Sequence, residues 1–356
     1  MRYAADRLQQ FAHQIFLQIG CKQKEAELAA KVLISADLRG VDSHGIARLI
    51  GYVRLYEKGR INPKPAISLI HETPSTGVID GDGGLGLVVG PQAMKKAIEK
   101  ASSVGSGWVA VRNSNHFGIA GYHAMMALEA DCIGIAMTNA SPLVSPTFAN
   151  DRLLGTNPIS VAIPSGKEAP FVADMATTTA ANGKLEILQR QKKEAPSGWI
   201  QDKEGLPTTD ADGVKKGGSL LPLGGDRVHG SHKGYALGSI VDIFSAVLSG
   251  ANYGPWVPPF VSFLEPSENP VGDGLGHFFG AMRIDAFRAK EEFKSHMDNW
   301  LRRFRSAETV PEEEKVLIPG DPEREMEKIR GSEGIPLLDP VIRDLETLSK
   351  KYKVNL

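Results

Sequence analysis

Asp80-Gly81-Asp82-Gly83-Gly84-Leu85-Gly86 is the stretch on which the fold turns. Ahead of it, residues 67–79 alternate apolar and polar as strands do; behind it, residues 91–101 carry helical spacing that opens on a proline. Gly81, Gly83 and Gly86 fit G-x-G-x-x-G between a strand and a helix, which is the context of a dinucleotide fingerprint. Glu99 stands loosely where a ribose-binding acid would fall. On that reading a doubly wound parallel sheet begins near residue 76. The other reading is a turn whose glycines supply positive φ and nothing more. The pattern is of low specificity, so both readings stay open on local grounds.

Downstream, Trp108-Val109-Ala110-Val111 reads as a buried strand and feeds Asn113-Ser114-Asn115-His116-Phe117-Gly118-Ile119-Ala120-Gly121. The spacing then predicts a helix over residues 122–130. Polar loops at strand ends are where open α/β sheets place their chemistry, and histidine exchanges a proton near neutral pH. His116 is therefore a candidate acid/base, or else a histidine held in a turn by backbone hydrogen bonds. Further apolar runs at 133–137, 160–163 and 171–173 are separated partly by short loops, so part of the sheet is expected to be antiparallel.

Upstream, Arg39-Gly40-Val41-Asp42-Ser43-His44-Gly45-Ile46-Ala47-Arg48 packs a histidine, hydroxyl, carboxylate and guanidinium into ten residues. It lies between helices predicted over 24–39 and 46–58, after a first helix over 3–18 that Gly20 stops. Residues 176–188 are predicted helical, and His232-Lys233-Gly234-Tyr235 opens an apolar helix through residue 247. Residues 251–275, rich in proline, glycine and aromatics, suggest a lid-like loop. Beyond Phe287 the chain is charged and helical, with a last helix over about 340–351. A helical N-terminal part, joined by the C-terminal helices, thus flanks an α/β part over about 76–289.

At 356 residues the chain can bury a sizeable core as one or two domains. A formal charge of −1 gives no general attraction to nucleic acid or to an anionic membrane. The two cysteines, Cys21 and Cys132, are expected to be small apolar residues in a reducing compartment. With no signal sequence and no membrane-spanning run, a cytoplasmic location is expected.

The two polar segments together resemble the type II malate/L-lactate dehydrogenase family, which includes ureidoglycolate, sulfolactate and diketogulonate oxidoreductases. The resemblance continues through Thr138-Asn139-Ala140-Ser141-Pro142, Leu154-Gly155-Thr156-Asn157-Pro158, Asp174-Met175-Ala176-Thr177 and Leu221-Pro222-Leu223-Gly224-Gly225. It runs on through His232-Lys233-Gly234-Tyr235, Gly276-His277-Phe278-Phe279 and Pro319-Gly320-Asp321-Pro322-Glu323, in family order across nearly the whole chain. It implies a mixed, largely antiparallel sheet flanked by helices, not a Rossmann domain. It also implies a discontinuous helical domain of residues 1–75 with 290–356, beside a cofactor domain of 76–289. A homodimer and NAD, with NADP as the alternative, are implied as well. On this resemblance the glycine stretch is a turn, and the cofactor binds elsewhere.

Hydride exchange between a nicotinamide and a 2-hydroxy acid needs an acid/base, a cation for the carboxylate and a seat for the cofactor. His116 and His44 are the acid/base candidates, with His116 preferred, and Ser43 can bind the reacting oxygen or orient a histidine. Arg48 offers a planar fork for the carboxylate, or else forms a surface or interdomain ion pair. For the cofactor, the resemblance points to Ser141, to Asp174, Met175 and Ala176, to His232 and Lys233, and more weakly to Gly320 and Asp321. Lys233 has a physical argument of its own, because a cation at a helix start suits pyrophosphate. Asp174 can equally be a helix cap. The expected substrates are malate/oxaloacetate or L-lactate/pyruvate, with ureidoglycolate, sulfolactate or a sugar acid as alternatives. A hydrolase using Ser43 and His44 is the rival of another class, weakened by the missing G-x-S-x-G elbow. No metal site is expected, since neither His116/His123 nor His229/His232 has a metal-ligand pattern.

Overall fold

The computed structural model describes all residues, 1–356. Its centre is a seven-stranded sheet in the order Ser68–Glu72, Thr76–Asp80, Ser106–Ser114, Leu275–Arg283, Cys132–Thr138, Ile159–Ile163, Phe171–Met175. Only Thr76–Asp80 and Ser106–Ser114 run parallel; every other pairing in this sheet is antiparallel. The mixed, largely antiparallel sheet is therefore as expected. Its edge strand Ser68–Glu72 begins ahead of residue 76.

The helices, in chain order, are α1 (Ala5–Gln18), α2 (Gln23–Leu38), α3 (Leu49–Glu57), α4 (Gly86–Val104) and α5 (Ala120–Met125). They continue with α6 (Asn182–Gln191), α7 (Ser231–Asp242), α8 (Lys290–Arg305), α9 (Asp321–Glu333) and α10 (Asp339–Tyr352). The parallel pair is joined through α4, which makes one βαβ unit, and this is why the glycine stretch carries a fingerprint's context. What its glycines face is protein. A Cβ on Gly86 would lie 2.0 Å from the Asn115 carbonyl oxygen, one on Gly81 2.8 Å from that of Asn113, and one on Gly84 2.8 Å from the Pro65 ring. Gly81 and Gly86 bring the turn against the loop that carries His116, while Gly83, at φ +66°, has only ordinary contacts with Asn62 and Arg60. The helix also starts at Gly86, with Pro91 inside it, and Glu99 pairs with Lys96 on its exposed side.

Leu8, Phe11, Ala12, Ile15 and Phe16 line one face of α1 at helical spacing. That face joins α2, α3 and α10 in a core of 29 buried residues. A second core of 18 sits under α4 and α5 on one face of the sheet. The opposite face is covered by α7 and the π-helical turn after it, over Ala110, Met137, Val241 and Phe278. Cys21 and Cys132 are both free and buried.

Two further helices differ from the sequence reading, and the helix expected through residue 247 passes into a π turn after Asp242. The helix expected over 176–188 starts only at Asn182, because Thr177 turns its hydroxyl onto the carbonyls of Thr156 and Asn157 and ties that stretch to the neighbouring loop. The helix expected over 122–130 is α5 followed by a 3-10 segment, Met126–Ala130.

Candidate active site

The polar knot is shaped by how α2 ends. Gly40, at φ +80°, sits just past the helix; its N–H reaches the Asp37 carbonyl and the Val41 N–H reaches that of Ala36. This is a Schellman cap, and it reverses the chain over the helix end. Asp37, only 1 % exposed, then accepts the Ile46 N–H at 2.6 Å, while a Cβ on Gly45 would strike its carboxyl group at 2.1 Å. Arg330 of α9 bonds the Asp37 carbonyl and pairs with Asp42. Ser43 and His44 are thus held from beneath by a buried acid and from the side by a C-terminal helix.

Burial pushes the Asp37 carboxyl up to about 8 against the pull of the Ile46 N–H, with Asp42 adding to the rise and Arg330 opposing it. Its proton is therefore bound more tightly in the fold than in the unfolded chain. The stability this confers is full below the ordinary carboxyl value and is lost as pH rises through about 8. Asp37→Asn, which keeps an acceptor for Ile46, is expected to flatten the decline of Tm between mildly acidic and mildly alkaline pH. Thermal melts across that range check this, and parallel curves for variant and parent would remove Asp37 from the account.

Ser43 Oγ lies 2.8 Å from His44 Nδ1. The His44 ring stacks on that of His116, centroids 5.5 Å apart at 22°. His116 reaches this point because Asn115, one residue earlier, donates its amide to the carbonyls of Gly83 (2.9 Å) and Gly84 (3.0 Å), pinning the loop to the glycine turn. Tyr52 of α3 places its hydroxyl 2.7 Å from His116 Nδ1. A hydroxyl can donate to a bare Nδ1 or accept from a protonated one, so Tyr52 holds the ring in either state. Phe260, from the expected lid-like stretch, packs its ring 4.6 Å from His116, and its N–H donates to Ser141 Oγ at 2.8 Å.

Arg48 immediately precedes α3; its Nε donates to the Ser43 carbonyl at 2.5 Å and its Nη1 meets Glu186 of α6 at 2.9 Å. At 14 % and 21 % exposure this is no surface ion pair. Burial first, then Arg48, pushes His44 down to about 3. Burial, then His44, Arg48 and His277, holds His116 well below the ordinary histidine value. Both rings are neutral at neutral pH. The hydrolase alternative finds no support, since Asp42 is paired with Arg330 and no acid orients His44 against Ser43.

The cofactor candidates fall in four places. Asp174 and Met175 line a cavity of about 290 Å³ with Ile318, Pro319 and Gly320, and Asp174 accepts the Gly121 N–H at 2.8 Å, which ties this wall to the His116 loop. Ala176 follows at the end of that strand. His232 and Lys233 lie in the first turn of α7, with Lys233 exposed and His232 Nδ1 2.7 Å from Arg227. That helix lies close to Thr177, whose hydroxyl would be 2.9 Å from a Cβ on Gly238. Ser141 is engaged by the Phe260 backbone, and Asp321 by Arg305, Arg324 and the Ile318 N–H. Sequence reasoning missed Asp37, Tyr52, Glu186 and Phe260. Only Tyr52 left a signal, four residues beyond Arg48 and so on the same side of a helix.

Solved structures that share this fold include malate and sulfolactate dehydrogenases. The crystal structure of malate dehydrogenase from Entamoeba histolytica matches with a TM-score of 0.92 at 38% identity, covering 100% of this chain and 99% of that one. Together with the histidine pair and its guanidinium, this defines the class as a 2-hydroxy acid dehydrogenase. The sequence profile of the malate/L-lactate dehydrogenase family matches residues 3–346, and the chain belongs to that family. Malate dehydrogenase from Pyrococcus horikoshii is 42% identical over 356 residues, 100% of this chain and 96% of the relative. L-sulfolactate dehydrogenase from Methanocaldococcus jannaschii is 39% identical over 342 residues, 96% of this chain and 94% of the relative.

Proposed function

We propose that the protein interconverts malate and oxaloacetate, with NAD as the preferred coenzyme and NADP as the alternative. L-lactate/pyruvate is the second substrate pair; sulfolactate, ureidoglycolate and sugar acids follow. The observation that carries the reading is the convergence of neutral His116, stacked on His44 and held by Tyr52, with Arg48 at the Ser43 carbonyl. In the oxidation direction neutral His116 takes the hydroxyl proton, and the imidazolium so formed returns it in reduction. Arg48 holds the substrate carboxylate, and Ser43 and His44 orient the reacting oxygen. The dinucleotide, when bound, supplies and accepts the hydride.

The donor set suits that group. Asp174 can accept from ribose hydroxyls, the exposed Met175 side chain offers an apolar surface, and Lys233 with the opening turn of α7 suits pyrophosphate. Gly320 lines the Asp174 cavity, while Ser141 acts by fixing Phe260. The reading includes the division into residues 1–75 with 290–356 and 76–289, amended so that the edge strand Ser68–Glu72 goes with the sheet it pairs in, together with a cytoplasmic location and a homodimer. What supports a dimer is the run of exposed Ile240, Ile243, Phe244, Val247 and Leu248 along α7 and its π turn. No helix is long and apolar enough to cross a membrane.

The test is a panel of hydroxy and oxo acids with both coenzymes, followed at the nicotinamide absorbance band. Turnover of malate or oxaloacetate above the other acids is expected, and a flat panel would remove the proposal. Coenzyme placement is tested separately by NADH titration. Lys233→Ala is expected to weaken binding at least about tenfold, roughly 1.4 kcal/mol. Gly83→Ala, whose Cβ would come no nearer to another atom than 3.6 Å, is expected to stay within about threefold while losing about 1 kcal/mol of stability. The reverse ordering would return the coenzyme to the glycine turn.

A further inference from the structure

A cavity of about 370 Å³ is lined by Arg48, Arg54, Arg190, Lys215, Glu186 and Phe260 among others. Its charges do not balance. Glu186 is the one carboxylate in the lining, and it is taken by Arg48 at 2.9 Å. Arg54 spends its guanidinium on a neutral acceptor, the Phe260 carbonyl. Lys215 bonds the Gln189 side chain at 2.5 Å and shares an exposed Asp212 at 3.7 Å. Arg190 makes no ion pair, although the Asp344 carboxyl feels its charge. Cations that outnumber the carboxylates lining a concave, partly desolvated space form an anion site.

This cavity is joined to the reacting groups through two side chains. Arg48 lines it and bonds the Ser43 carbonyl; Phe260 lines it and touches His116 at 4.6 Å. Arg190 stands four residues after Glu186 on α6, one turn or about 5.4 Å beyond the partner of Arg48.

We propose that this cavity receives the second acidic group of the substrate, a carboxylate or sulfonate, and that Arg190 is the residue that separates dianionic from monoanionic 2-oxo acids. The inference rests on the reading of Arg48 as the holder of the first carboxylate. Lys215 and Arg54 supply the supporting field, and Arg190 supplies the unpaired fork that an anion can engage with two hydrogen bonds.

Arg190→Gln keeps the helix and most of the side-chain volume, and the test is steady-state reduction of oxaloacetate and of pyruvate by the full-length protein. KM for oxaloacetate is expected to rise about tenfold or more, with KM for pyruvate within about twofold, kcat for each acid within about threefold and the NADH dissociation constant unchanged. A second readout needs no turnover: with NADH present, succinate is expected to raise Tm of the parent more than propionate does, and Arg190→Gln to lose that difference. Equal KM changes for both acids, or no change for either, would overturn the subsite. Failure of the parent to reduce any 2-oxo acid, with the succinate effect intact and lost in the variant, would reject the dehydrogenase reading while leaving an anion site. Absence of the succinate effect in the parent would reject the site itself.

Discussion

His116→Ala is expected to lower kcat by about 10²–10⁴, the usual contribution of a positioned proton-transfer group, while NADH affinity stays nearly unchanged. The ring contributes no large share of the buried core, and its anchors, Asn115 and the glycine turn, survive the substitution. A drop of less than about fivefold would move the role to His44 or to water. The pH dependence gives an independent check. Burial and the neighbouring His44 and Arg48 hold His116 well below its ordinary value of 6.5, so the proton-accepting form is already present below that pH. Log kcat/KM for hydroxy acid oxidation should therefore stay level as pH falls through 6.5 and decline only below it. Arg48 is one of the charges that depress this pKa, so removing it should move the decline toward higher pH.

Arg48→Ala should raise KM for the acid strongly with little effect on coenzyme binding. Removing one partner of a buried charge pair costs roughly 2–5 kcal/mol, or more than tenfold in affinity. Part of that cost is structural, because Glu186 loses its partner and the Ser43 carbonyl its donor. Arg48→Lys separates the two, since it keeps the charge and loses the planar fork. It is expected to recover less than half of the loss in log KM. Unchanged KM in the alanine variant would make Arg48 a purely structural bridge between α3 and α6.

Much of the architecture was legible because it is periodic. The apolar stripe of α1, the run over 108–111 and the late charged helices each announce themselves within a few residues. The short loops between apolar runs pointed to antiparallel pairing, and the sheet has six pairings of which five are antiparallel. His44, Ser43, Arg48 and His116 were also visible, as unusual concentrations of polar groups beside element ends. Their grouping in space is what the structure adds, and it leaves Asp321 in an ion-pair cluster of its own and Ser141 beneath a loop.

The glycine stretch shows where local reading stops. A βαβ unit with G-x-G-x-x-G is present, so the pattern was read correctly, yet its meaning depends on what approaches the missing side chains. Here that is, for Gly81 and Gly86, the backbone of residues 112–116, brought in by sheet pairing, and for Gly83 the chain at Arg60 and Asn62. Tyr52, Phe260 and Glu186 escaped for the same reason: each acts on a partner far away in sequence, His116 for the first two and Arg48 for the third. The sequence by itself determined the elements, the antiparallel tendency and the residue types available for proton transfer and anion binding, because these follow from side-chain chemistry and local period. Tertiary structure alone decided which of those residues meet, which charges remain unpaired and which protonation states burial imposes, because desolvation and Coulomb energy depend on distance in space and not on distance along the chain.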